Sequence, residues 1–255
     1  VSGLREYEGF TISDINAYND SVSFSNGVTL HKGEVYGDSS QETMQRVQIR
    51  ETIASHFEKE KELFSKGIKT LSLFFLDEVA NYKSYNEAGE EVKGKFWNIF
   101  EEEYTNYLNE NISLFDDSYQ QYLRRFDVSQ VHRGYFSIDK KTGHSIDSET
   151  KRGSDMSDDI SAYDLILKNK ERLLSFEEPC RFIFSHSALR EGWDNPNVFQ
   201  ICTLRHANSA VAKRQEVGRG LRICVNQQGN RMDYQELGED IQEVNKLTVI
   251  ANESY

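Results

Sequence analysis

The sequence of 255 residues is poor in proline and cysteine. Its two prolines, Pro179 and Pro196, do not form a proline-rich linker that would divide the chain. The three cysteines cannot all pair with one another, and no C-x-x-C spacing occurs. Cys180, Cys202 and Cys224 each stand in an apolar, strand-like setting. We therefore predict buried free thiols in a reducing compartment, and neither disulfides nor metal ligands.

Long apolar runs are also missing. The longest, near Leu71 to Leu76, is far shorter than the ~20 residues that a membrane helix requires. The first residues, 1–3, contain no initiator methionine and no signal-peptide pattern. The sequence thus predicts a piece of a longer cytoplasmic protein with no membrane partner.

The formal net charge is −12, whereas domains that bind nucleic acid through their whole surface are usually basic. Strong binding of DNA by this chain alone is therefore not expected. The acidic residues cluster in runs such as Glu58 to Glu62 and Glu101 to Glu103, which are typical of solvated helix faces. Contacts to DNA through backbone amides and helix N-termini remain compatible with this charge.

The hydrophobic pattern predicts two segments. Residues 1–39 alternate short apolar and polar pieces around Asn26-Gly27, a strong hairpin signal, and are predicted to be a small β-rich connector. Residues 40–255 alternate amphipathic helices with apolar strands, which predicts a three-layer α/β/α sandwich with a mostly parallel sheet. We expect helices at 40–66, 95–107, 158–174 and 210–221, and strands at 68–76, 130–138, 180–185, 198–204 and 247–251.

The stretch from Gln215 to Arg222 has the pattern Q-x-x-G-R-x-x-R. Arg219 and Arg222, three residues apart on a predicted helix, can approach one polyphosphate, and Gly218 lets the backbone come close to a ligand. An arginine supplied from a second lobe can stabilise the charge of a transferring phosphoryl group. The same arginines could instead be surface residues of an exposed helix, with no role in ligand binding.

A second stretch, Gly192-Trp193-Asp194, follows the predicted strand 180–185. Asp194 could accept a hydrogen bond from a ribose hydroxyl or orient an arginine, or it could only cap the turn before Pro196. Since ligands of open α/β sheets bind beyond the carboxyl ends of the strands, we expect both stretches to lie at that edge.

These two stretches resemble motifs V and VI of superfamily 2 helicases, which complete an ATP site between two lobes. The resemblance implies a catalytic role for Arg219 and Arg222. It assigns to the nucleotide-binding side Gly192, Asp194, Gln215 and Gly218. It also implies that the start of motif V, Ser185-His186-Ser187, contacts the nucleic-acid backbone, although His186 could equally be a structural hydrogen-bonding residue. No G-x-x-x-x-G-K-[ST] phosphate loop occurs in the sequence, so the other half of such a site is missing.

Two possible metal sites are rejected, and no metal ligand is predicted. Asp77-Glu78 is not followed by the residues that would complete a magnesium-binding D-E-x-x box. A nuclease core needs carboxylates and a lysine on a strand, but Asp127 precedes the predicted strand and Asp139-Lys140 follows it.

Further stretches narrow the resemblance from helicases in general to one family. The stretches 71–82, 131–140, 182–202 and 213–222 are similar to the restriction (Res) subunit of type III restriction-modification enzymes. That implies the second RecA-like lobe of an ATP-driven translocase of double-stranded DNA. It also implies partners, namely a modification methyltransferase subunit, and a first RecA-like lobe and C-terminal nuclease domain in the same parent chain. ATP and Mg²⁺ would be cofactors of the full-length bacterial enzyme, with none bound by this chain alone.

Two alternatives stay open. The chain could be a lobe of another superfamily 2 DNA helicase of the repair type, which would have no adjacent nuclease core or methyltransferase. It could also be a non-catalytic nucleic-acid-binding module that keeps the helicase fold, in which case the parent protein would lack the phosphate-loop lysine.

Overall fold

A computed structural model of the chain describes residues 9–32, 41–111, 118–138, 144–146, 170–186, 195–204, 217–218 and 220–251. The chain divides into two compact units, residues 1–47 and 48–255. Among the helices in these described ranges, none is both long and apolar enough to cross a membrane.

The first unit contains a three-stranded antiparallel sheet of β1 (Ile12–Asn16), β2 (Ser21–Phe24) and β3 (Thr29–His31), in that order. The turn between β2 and β3 carries the predicted Asn-Gly pair. Gly27 has a φ of +85°, which favours glycine, and its N–H donates to the carbonyl of Phe24 at 3.0 Å. The predicted hairpin is therefore confirmed.

The second unit is built on five parallel strands. They are β4 (Leu71–Phe75), β7 (His132–Tyr135), β10 (Phe182–Ser185), β11 (Val198–Thr203) and β12 (Thr248–Ile250), and their order in the sheet is β12-β11-β4-β10-β7. Two small antiparallel hairpins accompany them, β5 (Lys83–Tyr85) with β6 (Glu91–Lys93) and β8 (Ser137–Ile138) with β9 (Ser145–Ile146).

Helices flank the sheet. They are α1 (Gln41–Phe64), α2 (Lys95–Asn111), α3 (Ser118–Arg124), α4 (Lys170–Leu173), α5 (Tyr234–Leu237) and α6 (Ile241–Val244). Every residue of β4, β10 and β11 is buried, as expected for strands of a parallel sheet that is covered on both faces. The predicted α/β sandwich with a mostly parallel sheet is confirmed.

Local differences from the predicted elements have clear causes. The strand predicted at 130–138 is divided at Phe136, because β7 pairs in parallel with β10 while β8 leaves the sheet and pairs antiparallel with β9. The hairpin β5–β6 and the helix α3 were not predicted. The predicted helix at 158–174 is described only from residue 170, and most of the one at 210–221 lies outside the described residues.

Helix α1 packs on the sheet through a face that is partly charged. Ile49, Ile53 and Phe57 enter the largest hydrophobic cluster of the core, with aromatic residues of the sheet. Glu60 on the same face is fully buried, so the prediction that the run from Glu58 to Glu62 is solvated was wrong for this residue. The reason is Arg181, whose Nη1 donates to Glu60 at 2.7 Å.

The three cysteines are buried and free, as predicted. Burial raises the pKa of Cys180 and Cys224 to about 11 and that of Cys202 to about 12, so these thiols stay protonated near neutral pH. A protonated thiol is a poor nucleophile and a poor metal ligand. The cysteines therefore act as small apolar core residues.

Candidate nucleotide and nucleic-acid contacts

The carboxyl ends of the central strands are held together by backbone hydrogen bonds. Leu76, directly after β4, donates to the carbonyl of Ser185 at 2.9 Å, and Leu204, directly after β11, donates to that of Phe75 at 2.9 Å. This arrangement fixes the end of β10, where the candidate nucleic-acid contacts begin. We call the end of the sheet that contains these residues the carboxyl edge.

Ser185 and His186 both lie at the carboxyl edge. The side chain of Ser185 is fully buried, and among the described residues its Oγ has no hydrogen-bond partner. His186 is half-buried and is the first residue of this stretch with an accessible side chain. Ser187 lies outside the described residues, and so do Gly192 and Asp194.

The end of the Q-x-x-G-R-x-x-R stretch lies elsewhere. Gly220 packs against Leu247, which precedes β12. Farther along, the N–H of Val225 donates to Oδ1 of Asn197 at 2.9 Å, and Asn197 precedes β11. Residues 220–225 thus lie beside the amino-terminal ends of β11 and β12, which we call the amino edge.

For the last residues of the Q-x-x-G-R-x-x-R stretch, this location corrects the expectation that the stretch lies beyond the carboxyl ends of the strands. Because β11 and β12 are parallel neighbours, the chain that leaves the carboxyl end of β11 must return to the amino edge before β12 begins. Gly220 and Arg222 stand near the end of this return. A six-residue strand such as β11 spans roughly 20 Å, so His186 and Arg222 lie near opposite ends of the sheet.

Arg222 is exposed, and within the described part of the chain its guanidinium donates to two backbone carbonyls. Nη1 donates to the carbonyl of Leu221 at 2.8 Å and to that of Gly218 at 3.1 Å. No carboxylate of the described residues pairs with it. A guanidinium whose charge is not neutralised fits an anionic group such as a phosphate, for which its forked donors are suited.

The remaining nucleotide candidates are only partly described. Gly218 is half-buried, and its carbonyl is an acceptor for Arg222. Gln215 and Arg219 lie outside the described residues. The structure therefore brings Gly218 and Arg222 into contact and does not bring either together with Ser185.

The acidic residues that were rejected as metal ligands have local structural partners. Asp77 Oδ1 accepts a hydrogen bond from Asn81 Nδ2 at 2.7 Å. Asp127 forms a reciprocal capping box with Gln130, while residues 139–143 lie outside the described part. Within the described ranges, no group of three or more His, Cys, Asp or Glu side chains could hold a metal ion.

Sequence reasoning missed Asn197, which organises the amino edge. Its buried amide donates to the carbonyls of Lys69 at 3.0 Å and Val225 at 2.9 Å, and its Oδ1 accepts the N–H of Val225. The residue stands in the turn Asn195-Pro196-Asn197, where asparagine is common for local reasons alone. Since its partner Val225 is distant in sequence, no local signal could have identified this role.

The fold and the two edges define an α/β sandwich of the RecA-like type, with candidate polar contacts at both ends of a parallel sheet. No family model matches the chain. The chain is 41% identical over 214 residues to the Res subunit of the type III restriction-modification enzyme EcoPI from Escherichia phage P1, which covers 82% of this chain and 20% of the relative.

Two further relatives carry the same description. The EcoP15I Res subunit of Escherichia coli is 40% identical over 220 residues, covering 84% of this chain and 21% of that subunit. The StyLTI Res subunit of Salmonella typhimurium is 34% identical over 272 residues, covering 89% and 25%. The chain therefore belongs to the Res-subunit family of type III restriction-modification enzymes. It spans about a fifth to a quarter of the length of these relatives.

Proposed function

We propose that the chain is the second motor lobe of an ATP-dependent DNA translocase in a type III restriction endonuclease. The observation that carries this proposal is the similarity of 34–41% to three Res subunits over most of the chain. In this proposal the chain works in the bacterial cytoplasm with double-stranded DNA and a modification methyltransferase subunit. A first RecA-like lobe and a nuclease domain complete the enzyme.

The proposed nucleotide contacts lie on the Q-x-x-G-R-x-x-R stretch. Arg219 and Arg222 would act as arginine fingers, and Gln215 and Gly218 would help to hold the nucleotide. The exposed guanidinium of Arg222, which pairs with no carboxylate of the described residues, supports this role, because the forked donors of a guanidinium suit phosphate oxygens. ATP with Mg²⁺, when bound to the complete enzyme, would supply the phosphoryl group whose hydrolysis drives movement.

The proposed DNA contacts lie at the carboxyl edge. His186 and Ser187 would face the DNA backbone, with Ser185 beneath them, while Gly192 and Asp194 would join the nucleotide-binding side. Because Ser185 is buried, its hydroxyl would reach a phosphate only after a local rearrangement, whereas the side chain of His186 is half-buried. The two edges lie at opposite ends of β11, so a single strand would connect the nucleotide side with the DNA side.

The test separates motor function from DNA modification. Arg222→Ala in the complete Res subunit, assembled with its modification subunit, should abolish cleavage of DNA that carries the recognition sequence of the enzyme. Methylation by the same complex should persist, because the substitution leaves the modification subunit unchanged. Arg231→Ala, at an exposed arginine of the same unit, serves as the matched control and should cleave normally. Normal cleavage by the Arg222 variant would refute the proposed role of this residue.

A further inference from the structure

The turn that contains Arg222 is held on the sheet at a position where a side chain is missing. Gly220 is buried, and a Cβ built on it would lie 2.4 Å from Cδ1 of Leu247, 3.0 Å from Cδ2 and 3.2 Å from Cγ. Ordinary contacts between carbon atoms have separations of roughly 3.5–4.0 Å. Any other residue at position 220 would therefore overlap with Leu247.

The need for glycine here is a matter of space. Gly220 is absent from the glycines with positive φ, so its backbone conformation is open to any L-residue. Rotation of the end of the Leu247 side chain would relieve the contacts with Cδ1 and Cδ2, but the contact with Cγ at 3.2 Å would stay a few tenths of an ångström too short. An alanine at 220 would therefore push the turn away from Leu247 or push Leu247 out of its own packing.

The turn around Gly220 is compact and is held by hydrogen bonds within it. Its N–H donates to the carbonyl of Val217 at 3.1 Å, and its own carbonyl accepts the N–H of Arg222 at 3.1 Å. The guanidinium of Arg222 in turn contacts the carbonyl of Gly218. A displacement of Gly220 would thus be passed directly to Arg222, and through the chain to Arg219.

The chain beyond the turn is fixed independently. The N–H of Cys224 donates to Oδ1 of Asn245 at 2.8 Å, and that of Val225 donates to Asn197 at 2.9 Å. Arg222 lies between this fixed point and the contact of Gly220 with Leu247. Its position relative to the sheet is therefore set by two contacts, made by Gly220 and by Cys224, each of which is two residues away from Arg222 in sequence.

We infer that Gly220 is a positioning residue for Arg222, and that its contact with Leu247 sets the distance of Arg222 from the sheet. The inference rests on the proposed function of Arg219 and Arg222. It adds a specific requirement, namely that the absence of a side chain at position 220 matters for catalysis and not for nucleotide affinity. A misplacement of about 1 Å at a catalytic group can lower a rate by roughly 10²-fold.

The test is a compensating pair of substitutions in the complete Res subunit, assembled with its modification subunit and supplied with DNA. Gly220→Ala should lower kcat for ATP hydrolysis by roughly 10- to 100-fold and change KM for ATP much less, because arginine fingers act mainly in the transition state. Gly220→Ser, which is larger, should be slower still. Leu247→Ala removes all three atoms that would overlap with the new Cβ. The double variant Gly220→Ala/Leu247→Ala should therefore recover to within a few-fold of Leu247→Ala alone.

The matched control is Leu237→Ala, which truncates another partly buried leucine of the same unit. No atom of Leu237 is among the three nearest to the Cβ built on Gly220, so this substitution should not rescue Gly220→Ala. Three outcomes would overturn the inference: normal kcat in Gly220→Ala, failure of Leu247→Ala to restore it, or equal rescue by Leu237→Ala. A loss of kcat that is matched by a large fall in melting temperature would do the same, since it would indicate a purely structural role.

This test is separable from that of the proposed function. If Arg222→Ala and Arg219→Ala hydrolyse ATP normally, the proposed function itself fails. If these variants are inactive while Gly220→Ala turns over normally, only the positioning role of Gly220 fails.

Discussion

Arg181 and Glu60 form a fully buried ion pair in which Nη1 of the arginine lies 2.7 Å from Oε2 of the glutamate. Glu60 belongs to α1 and Arg181 directly precedes β10, so the pair joins this helix to the sheet. Tyr119 donates a second hydrogen bond to Glu60 Oε2 at 3.0 Å, and Arg181 donates to the hydroxyl of Tyr104. The guanidinium also lies over the ring of Phe57, with its Cζ 5.6 Å from the ring centroid.

We expect Glu60→Gln to destabilise the chain strongly, because it leaves the buried charge of Arg181 without a counter-charge. The loss of one partner of a buried ion pair costs roughly 3–5 kcal/mol. Urea denaturation measures this cost. Glu58→Gln on the exposed side of the same helix is the control and should change the free energy of unfolding by no more than ~0.5 kcal/mol. Equal effects of the two substitutions would contradict the account of α1.

Stability should fall in acid in two ranges of pH. Burial lowers the pKa of His132 to about 4. Between pH ~6.5 and 4, His132 is therefore protonated in the unfolded chain and neutral in the folded chain, so stability falls as the pH falls through this range. Burial alone would raise the pKa of Glu60, but Arg181 and His56 outweigh it and lower the pKa to about 2. The stability that Glu60 contributes is present above its unfolded pKa of ~4.3 and is lost as the pH falls toward 2.

The contribution of His132 can be isolated by denaturation at several pH values. One such proton changes the free energy of unfolding by up to ~1.4 kcal/mol per pH unit. His132→Gln should therefore reduce the slope between pH 6.5 and 4, even if the variant is less stable overall. An unaltered slope in His132→Gln would show that this histidine is not held neutral in the fold.

The strands and α1 were predictable from sequence because their signals are local. The apolar runs that form β4 and β11 predict buried parallel strands, and the spacing of Ile53, Phe57 and Phe64 predicts the helix. The burial of Glu60 was not predictable, since its partner Arg181 lies 121 residues farther along the chain. From the sequence alone, an acidic residue whose counter-charge is brought close only by the tertiary fold cannot be distinguished from a solvated acidic residue.

The candidate site shows the same limit. The motif pattern identified Arg222 as a candidate, and in the structure its guanidinium is exposed and pairs with no described carboxylate. Its location at the amino edge depends on which strand lies next to β11 in the sheet. The order of strands in a sheet cannot be read from the local sequence. The contact of Gly220 with Leu247 likewise needs the folded path, because the spacing of glycines reveals only that a close approach is possible.

The isolated chain of 255 residues should not hydrolyse ATP, because its sequence contains no phosphate loop. With a net charge of −12 it should also bind DNA weakly, and binding should fall steeply with added salt because few phosphates are neutralised. Steady-state ATPase assays and DNA titrations at several salt concentrations measure both properties. Robust magnesium-dependent hydrolysis, or tight binding that is insensitive to salt, would contradict this prediction.

The most direct test of the central claim is DNA-stimulated ATP turnover in the complete Res subunit with alanine at Arg219 or Arg222. Loss of an arginine finger lowers turnover by roughly 10³-fold or more. Because Arg222 is exposed, its replacement should change stability by no more than ~0.5 kcal/mol, so the melting temperature should barely move. Lysine should not restore turnover, since an ammonium lacks the forked geometry of a guanidinium. The account predicts at least one alanine variant with this loss and an intact fold; normal turnover in both would contradict it.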